Sequence, residues 1–277
     1  MTGTASVDEQ PLVSVITPSF NSGPFIEATI RSVLEQDYPH VEHVVLDSGS
    51  TDQTPEVLAR YPSLRVISPA PATIPEKINL AFELARGEIF MWINADDVLL
   101  PGAISRAVTV LQAHPDVGLV YSNYTDIDES GAVIARRRSR QCGFRDLVEV
   151  NDWVPHQTAF FRRDAAASAG GVDPRYPHAL DWDLWIRISK RWPIRYVDDY
   201  WGAFRIREGQ LSDRHRWERW REVRQMSRRH GGRFLSPLFF RFYWGKLSRA
   251  ARLLASGHVR LFVEKLIGNT VARFRRR

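Results

Sequence analysis

The sequence predicts an α/β protein: a doubly wound, mostly parallel sheet, then a mixed half, then a basic helical tail. Two observations carry the first part. Short apolar, β-branched runs alternate with segments whose apolar residues recur every three or four positions. The runs are apolar throughout, so their sheet is covered by helices on both faces. A third observation, a change of rhythm after residue 117 and of charge after residue 203, sets off the rest.

"VSVITPSF", from Val13, reads as a buried strand stopped by Pro18. "PFIEATIRSVLEQ" sets Ile26, Ile30, Val33 and Leu34 at helical spacing, with Pro24 near the first turn. "EHVVLDSGSTD" is a second strand ending in Asp47 and a Gly/Ser turn, Thr54 and Pro55 open a second helix, and "LRVIS" is a third strand. "TIPEKINLAFELARG" opens at Pro75, carries Ile78, Ala81, Phe82 and Ala85 on one face, and closes with Gly87. "IFMWINADDVLLPGAI" supplies a fourth strand and, from Pro101, another helix. Beyond residue 117, "VGLVYSNYTDID" and "GAVIARRRSR" read as strands around a turn, "VPHQTAFFRR" as a further strand, "ALDWDLWIRISKRW" as a helix, and "IRYVDD" and "WGAFRIR" as short strands.

Hydrophobic content of 44% and charged content of 25% are ordinary for a soluble globular protein. One cysteine, Cys142, excludes an internal disulfide and fits a reducing compartment. No basic-then-apolar leader opens the sequence, and no stretch reaches the roughly 18 apolar residues of a membrane span. The net charge of +6 conceals an asymmetry: residues 204–277 hold 20 Lys+Arg against 5 Asp+Glu, a net +15, and the preceding body carries −9. Membrane surface, nucleic acid and the body itself are the candidate targets of such a tail.

Asp47, Asn94, Asp96 and Asp97 all follow strand ends, where open α/β sheets bind ligands, so they are expected to share one crevice. Adjacent carboxylates repel unless a cation joins them. Mg²⁺ or Mn²⁺ suits oxygen ligands and typically takes one or two carboxylates plus substrate phosphates. Neither a Cys/His set for zinc nor a Walker-type loop is present.

Three stretches in this order, "VSVITPSFN…HVVLDSGSTDQT", "INLAFELARGEIFMWINADDVLLPGAI" and "VPHQTAFFRR…ALDWDLWIR", resemble family 2 glycosyltransferases of the GT-A fold, of the bacterial, non-processive type. The resemblance runs from about Val13 to Ser212. It implies a GT-A domain over 11–212, with a nucleotide-binding half (11–116) and an acceptor half (117–212), followed by a basic amphipathic tail (213–277). It implies that Pro18 and Phe20 line the base pocket, that Asp47 accepts a hydrogen bond from base or ribose, and that Lys77 meets the nucleotide. Asp96 becomes the principal ligand of a divalent cation, Mn²⁺ or Mg²⁺, with Asp97 beside it, and Asp181 the catalytic base. Asn94 stands where many members have an Asp; its amide can still bind ribose. Arg207 stands where relatives often have a metal-binding His, and can hold the diphosphate instead. No Gln-x-x-Arg-Trp of processive members is present.

Other readings accompany these. Asp47 also suits a turn before Gly49. Asp183 is read as a helix cap rather than a base. His156 and Gln157 either contact substrate or serve strand polarity, and Trp182 and Trp185 either stack on sugar or pack in the core. The expected function is transfer of one sugar from a nucleotide-diphospho-sugar to a lipid-linked glycan acceptor, inverting the anomeric centre, at the cytoplasmic face of the membrane. A nucleotidyltransferase is the enzyme rival, and a nucleic-acid-binding protein the rival from another class. The apolar stripe Val259, Phe262, Val263, Leu266, Ile267, Val271 and Phe274 favours an anionic membrane surface over nucleic acid as the tail's partner.

Overall fold

A computed structural model describes residues 10–207, 210, 215–241 and 243–244. Its strands form one nine-stranded sheet. β1 (Val13–Ser19) lies parallel between β2 (Val41–Asp47) and β4 (Ile89–Trp92), and β3 (Arg65–Ile67) extends the parallel set beyond β2. Helices α1 (Gly23–Leu34), α2 (Thr54–Ala59) and α3 (Ile74–Leu84) make the crossovers. Each of the three carries a proline in its first turn, where the missing N–H costs nothing.

The largely apolar strands are explained by two cores. Val13, Val15, Ile89 and Met91 pack on one face with α4 (Ala103–Ala113), while Ile16, Phe90 and Trp92 pack on the other. Successive side chains of a strand point to opposite faces, so two covered faces favour apolar residues on both. Buried polar residues within the strands are paired, Ser14 Oγ donating to Glu42 at 2.5 Å and Thr17 Oγ1 lying 2.9 Å from His43 Nε2. Phe82 stacks on Phe90 at 5.2 Å, and Phe161 meets both rings edge-on.

The remaining elements are β5 (Val98–Leu99), β6 (Leu119–Ile127), β7 (Val133–Arg137), α5 (Phe144–Glu149), β8 (Phe160–Arg162), α6 (Arg163–Ala169), α7 (Leu180–Ser189), β9 (Ile194–Arg205) and, in the C-terminal stretch, α8 (Arg216–Arg229). The sheet order is β3-β2-β1-β4-β8-β6-β9-β5, with β7 on β6. Antiparallel β8 bridges β4 and β6, so the two halves share one sheet.

Two expectations for the second half change. "VPHQTAFFRR" is not one strand: His156–Thr158 form a 3-10 helix, and only Phe160–Arg162 are extended. Pro155 has no N–H for a ladder, and Thr158 turns back, its N–H donating to Pro155 O at 3.1 Å and its hydroxyl to Ser122 O at 3.1 Å. "IRYVDD" and "WGAFRIR" form one strand, β9, which pairs in parallel with β6 through a register shift. Within the stretch assigned to the tail, Val223 and Met226 of α8 and Leu238 join the largest core cluster. The stripe from Val259 to Phe274 lies outside the described residues.

Candidate active site

The parallel strands end together, β1 at Ser19, β2 at Asp47 and β4 at Trp92, and the register sets Ser19 opposite Asp47. Asp47 is 2% exposed and does form a turn: its carboxylate accepts from Ser50 N at 2.8 Å and Ser50 Oγ at 2.5 Å. It also borders a cleft of about 260 Å³ with Pro55, Leu58, Ala59, Val66 and Ser68. Lys77 is buried beside it, donating from Nζ to Ser19 O at 2.8 Å. Burial holds the Lys77 ammonium below its ordinary pKa, and the charge of Asp47 opposes that shift. Ser19 Oγ is buried with no hydrogen-bond partner among the described residues. Pro18 is buried in β1, whereas Phe20 stands 58% exposed at the rim.

After β4 the four residues Asn94–Asp97 separate in role. Asp96 is partly open, its side chain 22% exposed, and Arg207 Nε donates to its Oδ2 at 2.8 Å. Arg205 Nε donates to the Asp96 carbonyl at 2.8 Å, and both guanidinium groups lie over the Phe25 ring, at 5.3 and 5.7 Å. Asp97 is fully buried. Its Oδ1 accepts from Arg205 N at 2.9 Å, its Oδ2 lies 3.4 Å from both Asn94 Nδ2 and His156 Nε2, and its carbonyl accepts from Thr29 Oγ1 at 2.7 Å. Burial pushes the Asp97 carboxyl up, the His156 hydrogen bond draws it back and the Asp96 charge adds to the rise; the net shift is upward. Asp97 therefore fastens the loop to β9 and α1, and of the two adjacent carboxylates Asp96 is the one that is partly open.

A cation would find a lean site. Among the described residues no group of three or more His, Cys, Asp or Glu side chains converges on a point. One partly open carboxylate at a strand end fits a hard cation that takes most of its ligands from substrate phosphates and water. It does not fit zinc, which is held by several protein ligands.

On the acceptor side, Asp181 sits in the first turn of α7, 19% exposed, accepting from Trp182 N at 2.8 Å. His156 lies between the two ends of the site, with Nε2 2.9 Å from Asn94 Nδ2 and Nδ1 4.0 Å from Asp181 Oδ2. Burial opposes charge on His156, but the hydrogen bond to Asp97 and the charges of Asp97, Asp181 and Asp96 outweigh it, and its pKa is raised. Asp152, not anticipated from the sequence, is pushed up to about 7 by burial and by the charge of Asp181, against the pull of Arg219 at 3.8 Å. Asp183 is 1% exposed and turned away, paired with Arg187 at 2.7 Å and with His230 at 3.4 Å. It does not cap α7 as expected; its partner is one turn on. Trp182 donates to Leu147 O at 2.8 Å and Trp185 stacks on Trp92 at 5.7 Å, so both belong to the core.

The glycosyl transferase family 2 model matches residues 14–182, more than half of the chain. Chondroitin synthase of Escherichia coli is 26% identical over 70% of this chain, which spans 29% of that protein's length. Among solved structures, S. aureus TarS 1-349 in complex with UDP-GlcNAc has a TM-score of 0.63 at 19% identity, covering 78% of this chain and 65% of that one. Mannosyltransferase PcManGT from Pyrobaculum calidifontis, in complex with GDP-Man and Mn²⁺, has a TM-score of 0.63 at 23% identity, covering 96% and 81%. The sheet is that of the GT-A fold, which these neighbours share. The chain belongs to glycosyl transferase family 2.

Proposed function

We propose that this chain is an inverting glycosyltransferase that moves one sugar from a nucleotide-diphospho-sugar to a hydroxyl of a lipid-linked glycan in surface polysaccharide assembly. The observation that carries the proposal is the separation of two carboxylates by His156: Asp96 with Arg207 at the end of the parallel strands, Asp181 in the first turn of α7. The family supports glycosyl transfer, the solved neighbours are named with UDP-GlcNAc and GDP-Man, and the E. coli relative is named chondroitin synthase.

The nucleoside enters the cleft at Asp47, with Phe20 and Pro18 on the β1 side and Asp47 as hydrogen-bond acceptor. Lys77 reinforces the backbone beside it. Asn94 meets the ribose, and Arg207 pairs with the diphosphate, for which its planar fork is suited. Asp96, with those phosphates, would hold the divalent cation, which when bound neutralises charge on the departing diphosphate. The acceptor oxygen forms a bond to the anomeric carbon as its proton passes to Asp181. The bond to the diphosphate oxygen breaks and the electron pair leaves with the diphosphate. Attack opposite the leaving group inverts the centre. Proton removal by a positioned carboxylate contributes roughly 10²–10⁴ in rate.

Among the described residues no helix is long and apolar enough to cross a membrane. The +15 of residues 204–277 supports association with the anionic cytoplasmic face of the cell membrane, where a lipid-linked acceptor would lie. A thermal-shift panel of nucleotide-sugars with and without Mn²⁺ tests the donor assignment, because a ligand bound only by the folded state raises its melting temperature. One donor class is expected to stabilise the protein, with a Mn²⁺-dependent part lost in Asp96→Ala. No shift with any nucleotide-sugar contradicts the proposal.

A further inference from the structure

Residues 233–241 and 243–244 follow α8 and lie back along its flank. Their inner side belongs to the body: Ser236 and Leu238 are buried, and the void left against α8 is about 20 Å³, room for one water. Their outer side is apolar as well. Phe234, Leu235, Phe240 and Trp244 are 58, 66, 58 and 74% exposed. They form a patch. Residues 237–241 and 243–244 are helical, so Phe240 and Trp244, four apart, share a face. The Phe239 ring joins Phe234 at 4.5 Å, Phe240 at 5.8 Å and Tyr243 at 4.3 Å. A surface helix ordinarily turns polar residues to water, so one that is apolar on both sides has a second apolar phase to meet.

The rim identifies that phase. Arg228 lies over Phe234 at 5.4 Å, Arg224 over Tyr243 at 5.8 Å and Arg241 over Trp220 at 5.8 Å. Aromatic rings ringed by guanidinium groups match an anionic lipid surface, where rings settle at headgroup depth and cations meet phosphates. A second copy of the chain would bring the same +15 region against itself, and like charge opposes that pairing.

The patch is tied to the acceptor side. Arg241 Nη1 donates to Asn151 Oδ1 at 2.7 Å, Arg233 pairs with Glu149 at 2.8 Å, and Arg219 reaches Asp152 at 3.8 Å. We propose that Phe234, Leu235, Phe240 and Trp244 form a docking surface for anionic membrane, which presents the Asp152–Asp181 end of the crevice to an acceptor anchored in that membrane. The acceptor clause rests on the glycosyl-transfer reading; the docking surface does not.

Flotation of the full-length chain with vesicles of phosphatidylcholine alone, or with phosphatidylglycerol added, tests it. The protein is expected to float with the anionic vesicles only, and less at high salt. Phe240→Ser with Trp244→Ser, and separately Leu235→Glu, should each lower the bound fraction about tenfold or more, with the melting temperature unchanged. Flotation equal to that of the unsubstituted chain overturns the proposal. So does a fall of several degrees in melting temperature, which would mean that protein covers these side chains. Nucleotide-sugar binding in the same preparations reports separately on glycosyl transfer.

Discussion

The two carboxylates of "LDWDLW" show how much one residue's surroundings decide. Asp183 is buried against Arg187, so Asp183→Asn leaves a guanidinium without its partner. Breaking such a pair costs roughly 3 kcal/mol, measurable as a lower urea midpoint. Arg207 holds Asp96 in the free protein, so a cation must displace it unless a diphosphate draws it off. Arg207→Gln is therefore expected to tighten Mn²⁺ binding to the nucleotide-free protein, followed by electron paramagnetic resonance, and to weaken binding of UDP or GDP about tenfold. Equal Mn²⁺ affinity in both proteins would refute the competition. Asp152 gives a pH dependence. Its folded pKa is raised, so the folded state holds the proton more tightly, and that stability is present at low pH and lost as pH rises from the ordinary carboxylate range to about 7. Asp152→Asn should flatten this part of the stability profile in chemical denaturation across pH. Asp96 and Asp181 were legible in the sequence because each lies in a motif at an element end. Asp152 was not, because the burial and the Asp181 charge that raise it are supplied only by the fold.

At the scale of elements, legibility followed whether a segment's partners were local. α1, α3, α4 and the parallel strands carry complete periodicities, and their prolines mark their starts. The stretch 154–163 does not, because its shape depends on Ser122 and on Gly202 of β9. Gly202 passes so close to the 3-10 helix that a Cβ there would run into the Gln157 carbonyl oxygen. Gly202→Ala must move backbone on one side or the other, at a cost of roughly 1–3 kcal/mol. It should also disturb His156, one residue from the contact. A calorimetric melting temperature several degrees lower, with reduced turnover, is expected. An unchanged melting temperature would show that β9 yields freely. The register shift between β6 and β9 was equally hidden, since pairing between strands so far apart in sequence leaves no local mark.

The whole molecule joins an acidic body to a basic C-terminal region. The charge difference is legible from composition and the order of motifs points to the fold, but neither the single sheet shared by the two halves nor the packing of α8 and Leu238 into the main core is. A segment with many arginines reads as a solvated tail until Val223 and Met226 are seen to be buried. The catalytic account rests on division of labour across the crevice, donor and diphosphate at Asp96 and acceptor proton at Asp181. The most direct measurement is release of nucleoside diphosphate from the stabilising donor in the presence of a lipid-linked glycan acceptor, for the unsubstituted chain and Asp181→Asn, beside donor affinity for both. Equal donor affinity, with turnover slower by roughly 10²–10⁴, is expected in Asp181→Asn. Turnover at the unsubstituted rate in Asp181→Asn would contradict this division of labour.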